Sequence, residues 1–192
     1  MNFNNHFELA GRHSFLSASS SHWLRYDDEK IVSVFRNRQA ALRGTELHEL
    51  ASNLIRLRVK LPKTGQTLNM YVNDAIGLHM VPEQILFFSP NAFGTTDAIW
   101  IGKNVHVDPS RDLLRIHDLK TGEGKTSFDQ LKVYAAFYCL EYLRKPHDLD
   151  MEFRIYQNDE RKIEEGDPDE IQEIMDKLRY FDALLDEVRL EG

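Results

Sequence analysis

RIHDLKTGEGKTSFDQ, residues 115–130, holds two chemistries that exclude each other. GEGKTS has the look of a turn that wraps a nucleotide phosphate, whereas HDLK sets an acid and a lysine two residues apart, the makings of a metal site with an ammonium beside it. A phosphate-wrapping loop needs a glycine with four residues between it and its Gly-Lys-Thr, and that position is Leu119. The segment also comes late, with only a helix, one strand and another helix after it, too little for the parallel sheet such loops serve. On this reading Gly122 and Gly124 form a flexible strand-to-helix turn, and Lys125 is a surface lysine.

The other reading gains from strand geometry. Side chains alternate along a strand, so Leu114, Ile116, Asp118 and Lys120 share one face while His117 and Leu119 look the other way. GTTDAIWI, residues 94–101, reads as the preceding strand, with Thr95, Asp97 and Ile99 on one face. QILFFS, residues 84–89, reads as the strand before that, which gives a three-stranded meander turned through Asn104, Asp108 and Pro109. If the second and third strands pair, Asp97 and Asp118 converge at one end of the sheet.

Around the meander the periodicity is helical. Serines near Ser20 cap a helix through Trp23 and Leu24. Leu47, Leu50, Leu54 and Leu57 give residues 38–59 an apolar stripe with His48 at its edge. Thr67 caps a helix to about His79, and Ser127 caps one to about Arg144, with Gln130 completing a capping box. A short strand at residues 151–156 and a closing helix from Pro168 to about Leu190 complete the order. The expected class is α/β (α+β), a mixed central sheet flanked by helices.

The chain has 192 residues and no evident linker, so the expectation is one domain over residues 1–192. A single cysteine, Cys139, leaves no internal disulfide and no multi-cysteine metal site. No apolar run approaches the roughly 20 residues that span a bilayer, and the first residues lack a signal-peptide pattern. A cytoplasmic protein without a membrane partner is expected. The net charge of -7 argues at first sight against nucleic acid. The charge is uneven, however: residues 1–63 carry 10 Lys and Arg against 6 Asp and Glu, and residues 157–192 carry 5 against 13. A local basic surface and a solvated acidic helix both fit that distribution.

Two carboxylates forced together on an apolar sheet face repel, and a divalent cation removes the conflict. Mg²⁺ takes oxygen ligands and keeps waters, leaving room for a phosphate oxygen and a nucleophilic water. Lys120 then stands beside that water or the scissile phosphate as a compact positive charge. An isolated D-x-K is equally well a surface salt bridge.

The ordered set carries more. GTELHELA (residues 44–51), FGTTDAIW (93–100), IHDLKTGEGK (116–125) and QLKVY (130–134) together resemble the PD-(D/E)XK nuclease superfamily, within it the branch that contains the RecB nuclease domain and many phage exonucleases. LSASSSHWL, residues 16–24, is similar to the serine-rich opening of that branch. The resemblance implies a restriction-endonuclease-like core and metal-dependent DNA hydrolysis in a bacterial or phage-infected cell. It implies that His48, Asp97, Asp118 and the Leu119 carbonyl bind Mg²⁺ or Mn²⁺, and that Lys120 is the catalytic lysine. Gln130 and Tyr134 correspond to the family's Q-x-x-x-Y pair near the site, and Glu83 stands where relatives often carry an acid. Lys125, Lys132, Arg43 and Ser19 are the expected phosphate contacts, with Arg36 and Arg38 further out, and Trp23, Tyr26 or Tyr134 could stack on a base.

Each residue has a plainer rival: His48 as a helix-edge histidine, Gln130 as a cap, Tyr134 as core. Members of the branch with an iron-sulfur cluster need four cysteines, and here RYDDEK (residues 25–30) comes after the serine-rich segment. No cluster is expected. Exonuclease, endonuclease and a non-cleaving DNA-binding or assembly protein of the same fold stay open, as does a homo-oligomer.

Overall fold

The β-branched and aromatic runs form the antiparallel meander that their composition predicts: β1 (Val81–Ser89), β2 (Ala92–Asn104) and β3 (Asp108–Leu119). Helix α3 (Asp129–Glu141) then carries the chain across the sheet, so that β4 (Leu149–Gln157) returns parallel to β3. A strand that the periodicity did not indicate, β5 (Glu160–Glu165), pairs antiparallel with β4. The turn between them is Asn158-Asp159, with φ of 52° and 58°, the positive values that tight hairpins need to match strand twist. The sheet is five-stranded and mixed, in the order β1-β2-β3-β4-β5.

Helices cover both faces. On one, α3 and α4 (Pro168–Glu191) bury Leu131, Phe137 and Ile171 against Leu86, Ile99, Leu114, Ile116, Phe153 and Ile155. On the other, the C-terminal part of α1 (Asp28–Arg56) and α2 (Thr67–Gly77) bring Ala51, Ile55, Tyr71 and Val72 onto Ala98, Leu119 and Tyr156. Ile116 on one side and Leu119 on the other show the alternation of β3 at work. The class is α+β, a mixed sheet flanked by helices.

The computed structural model describes residues 14–16, 18–105 and 107–191. The chain divides into two compact units, Met1–Arg43 and Gly44–Gly192. In the first, a 3-10 helix covers Ala18–Arg25, and α1 begins ten residues before the periodicity predicts because Asp27 Oδ1 accepts a 2.7 Å bond from the Lys30 amide. The second holds the sheet. Two expected caps are not formed: α2 starts after Gln66 and α3 after Phe128, neither with a side-chain cap bond. Thr67 Oγ1 instead donates to Asp159 Oδ1 at 3.1 Å, and Ser127 Oγ donates to Asp129 at 2.9 Å. Among the described residues no helix is long and apolar enough to cross a membrane.

Candidate functional site

Register brings the acids together. Ala98 pairs with His117 and Ile99 with Ile116, so the next position sets Asp97 opposite Asp118. Across the other edge of β2, Pro82 pairs with Ala98 and Gln84 with Thr96, and the position between them sets Glu83 opposite Asp97. Glu83 has a φ of 54°, a left-handed conformation that is rare in a strand. Strict alternation fails along this stretch of β2. A Cβ on Gly94 would meet Tyr134 and Phe137 of α3, yet Ile99, an odd number of residues away, packs on the same side. The expectation that Thr95, Asp97 and Ile99 share one face by unbroken alternation is therefore corrected: the strands coil between Gly94 and Ile99.

The coil lets the Asp97 carboxylate reach into the sheet's open end, where Oδ2 accepts a 2.7 Å bond from the Leu119 N–H. That contact involves the Leu119 amide, whereas the expectation concerned its carbonyl. The other oxygen, Oδ1, lies 3.4 Å from His48 Nδ1 on α1. Helix α1 comes this close because of Gly44, where a Cβ would sit 2.7 Å from Thr121 Oγ1. On the face of β3 away from Asp118, which Leu119 and Tyr156 share, His117 is fully buried, 3.4 Å from the Tyr156 hydroxyl, and burial holds its imidazole well below the usual range.

Asp118 is almost wholly enclosed, its side chain 4% exposed. Its Oδ2 lies 3.1 Å from Lys120 Nζ, an ion-pair contact without the alignment of a hydrogen bond, so that buried oxygen has no hydrogen-bond donor. Burial and then the Asp97 charge raise the Asp118 carboxyl above the ordinary value, with Lys120 opposing. Glu83 is raised in the same way, by burial and by Asp97. His48 is raised mainly by its contact with Asp97, against the effect of burial. Negative charge is thus in excess of what His48 and Lys120 offset. Among the described residues, no three His, Cys, Asp or Glu side chains are grouped closely enough to hold a metal ion between them.

Lys120 is held from the other side by α3. Its Nζ donates to Gln130 Oε1 at 2.7 Å, Gln130 Nε2 donates to Tyr134 Oη at 3.3 Å, and the Tyr134 hydroxyl donates to the Thr95 carbonyl at 2.6 Å. Burial raises the Tyr134 phenol above its usual value. Gln130 is not in a capping box, since the Ser127 hydroxyl is turned to Asp129. A single chain of contacts therefore runs from Asp118 through Lys120, Gln130 and Tyr134 back to β2.

The outer residues fare differently. Lys125 is exposed in the loop between β3 and α3. That loop reaches its helix only at Asp129, so Gly124-Lys125-Thr126 is not the first turn of a helix, as a phosphate-wrapping loop requires. Lys132 is corrected. Its ammonium is 2.9 Å from both Glu164 and Glu170, and its side chain is only 14% exposed, so two carboxylates already occupy it. It sits two residues from Gln130, about 200° around the helix. Arg43 is exposed and ends the first unit, and the Ser19 side chain lies outside the described residues. The sequence pattern does not mark Gln157, whose buried amide contacts the loop of Gly122 and Gly124. The only local hint is the Asn158-Asp159 turn beside it. No family model, curated protein or solved structure matches the chain.

Proposed function

We propose that the chain is a metal-dependent nuclease that hydrolyses DNA phosphodiester bonds, of the PD-(D/E)XK type, with exonuclease action favoured by the resemblance of its motifs. The observation that carries the reading is Asp118. Asp118, its side chain only 4% exposed, stands across from Asp97, and burial together with that second negative charge raises its carboxyl although Lys120 is 3.1 Å away, so the two acids hold more negative charge than the one ammonium between them offsets.

The donor types would suit Mg²⁺ or Mn²⁺, with carboxylate oxygens from Asp97 and Asp118, the Leu119 carbonyl and the His48 imidazole, provided an arriving ion draws them closer together than they stand here. When bound, such an ion supplies a water of lowered pKa and neutralises charge on the phosphate. The protein's own groups do the rest. Lys120 Nζ, fixed between Asp118 and Gln130, presents one positive charge to the phosphate or to the attacking water. Gln130 and Tyr134 keep that ammonium from swinging away, since each is itself bonded. Lys125 is the remaining cation of the loop for a neighbouring phosphate.

A second reading, a DNA-binding or assembly protein that keeps the fold without cutting, is favoured by the net charge of -7 and by the lack of a closed ligand cluster among the described residues. Digestion of linear, circular and single-stranded DNA with Mg²⁺, Mn²⁺ or EDTA separates them. Metal-dependent cutting that Lys120→Ala abolishes supports the nuclease, and cutting of closed circles marks it as an endonuclease. Binding without cutting in either metal overturns it.

A further inference from the structure

The loop after β3 has to hold a lysine still without being part of a strand. Lys120 is the first residue past β3, and its loop contains two glycines in three positions. Neither glycine is there for space or for backbone reasons: a Cβ at Gly122 or Gly124 would meet nothing within 4 Å, and neither has a positive φ. Such a loop loses more conformational freedom on ordering than any other composition would. Something outside the loop must fix it.

The end of β4 does so at three points. The Tyr156 carbonyl accepts a 2.9 Å bond from the Lys120 N–H, extending the parallel ladder by one residue. Gln157, only 5% exposed, then spends both hydrogens of its amide on the loop, donating from Nε2 to the Gly122 carbonyl at 2.5 Å and to the Gly124 carbonyl at 2.8 Å. Its Oε1 faces the Thr126 hydroxyl at 3.4 Å. Gln157 itself cannot drift, because the hairpin beyond it is anchored where the Asp159 N–H donates to Thr67 Oγ1 at 2.7 Å and Asp159 Oδ1 accepts from the Thr67 N–H at 2.8 Å.

Resting on the nuclease reading above, we infer that Gln157 is a positioning residue for cleavage: by clamping the Gly122 and Gly124 carbonyls it keeps Lys120 against Asp118 and Gln130 and presents Lys125 to a backbone phosphate of the DNA. It touches no substrate. It acts through the loop, and its effect belongs to the chemical step because Lys120 does. Lys125, by contrast, acts on the encounter with the polyanion.

The test uses the full chain with Gln157→Leu, and with Gln157→Met, which keeps the length of the side chain without an amide to donate, should the first not fold by circular dichroism. Two readouts are taken, amide hydrogen exchange and steady-state cutting of linear duplex in Mg²⁺. The expected result is exchange at residues 121–126 faster by about tenfold or more, with β3 and β4 still protected, together with a fall in kcat of about tenfold or more and little change in KM. Lys125→Ala is expected instead to raise KM and to lower the salt slope of binding by about one. Unchanged exchange in the loop, or faster exchange with wild-type kcat, overturns the role of Gln157. A wild-type chain that cuts no DNA in either metal overturns the nuclease reading and this role with it, an outcome distinct from a cutting wild type matched by Gln157→Leu.

Discussion

Asp97 Oδ2 accepts a 2.7 Å hydrogen bond from the Leu119 N–H, so the carboxylate on β2 closes the end of the ladder to β3. This gives Asp97 two separable duties, structural acceptor and anion. Asp97→Asn keeps an acceptor and loses the charge. It is expected to melt close to the wild type while cutting in Mg²⁺ falls about 100-fold or more. Asp97→Ala also leaves the amide of a residue that is 2% exposed without its partner, a loss of about 1–3 kcal/mol. Thermal melting in EDTA checks the pair, and an Ala variant as stable as the Asn variant would remove the structural duty.

Asp118 bears on stability in the opposite sense. An acid whose folded pKa lies above its unfolded value binds more protons folded than unfolded, so it contributes stability at low pH that is lost as pH rises from the ordinary carboxylate value through the raised one. At neutral pH without metal the ionised carboxylate is therefore a burden. Asp118→Asn is expected to melt higher than wild type in EDTA at pH 7, to lose that part of the pH dependence, and to cut no DNA. Adding Mg²⁺ should raise the melting temperature of the wild type and leave that of the variant nearly still. A variant less stable than wild type in EDTA would show that burial of Asp118 carries no strain.

These residues were legible to different degrees for physical reasons. Asp118 and Lys120 could be placed by strand period alone, because β3 alternates cleanly from Leu114 to Leu119 between two cores. Asp97 was legible as the residue across from Asp118 once the two strands pair, and the register sets it there, but its shared face with Thr95 and Ile99 was not, since alternation fails between Gly94 and Ile99. β5 was invisible because ERKIEE is nearly all charge, as an exposed edge strand tends to be. Gln130 fitted a capping box and a site equally well, and only the 2.7 Å bond from Lys120 distinguishes them. Gln157 meets Gly122 across 35 residues of chain, a separation that no local pattern encodes.

Lys132 separates the sequence pattern from the structure. As a phosphate contact its loss would raise KM and lower the salt slope by about one. As the partner of Glu170 and Glu164, whose bonds raise its pKa, its loss should instead cost stability. Both carboxylates are more than a third exposed, at 38% and 43%, so screening limits each pair to about 0.2–1 kcal/mol. Lys132→Ala is expected to melt a few degrees lower with the salt dependence of DNA binding unchanged. A reduced slope would return Lys132 to the DNA interface.

Gly94 tests whether the lysine is steered from α3. A Cβ there would lie 2.9 Å from Tyr134 Cε1 and 3.7 Å from Phe137, too close for the ring to stay. Gly94→Ala must push Tyr134 off the Thr95 carbonyl, and Gln130 then loses the hydroxyl to which it donates. Overpacking of this kind costs about 1–3 kcal/mol, so the variant should still fold. Its kcat should fall, because Lys120 loses a fixed acceptor in Gln130, and Tyr134→Leu should restore melting temperature by making room without restoring kcat. Recovery of kcat in that double variant would mean that Tyr134 only fills space, leaving Lys120 to be held by Asp118 alone.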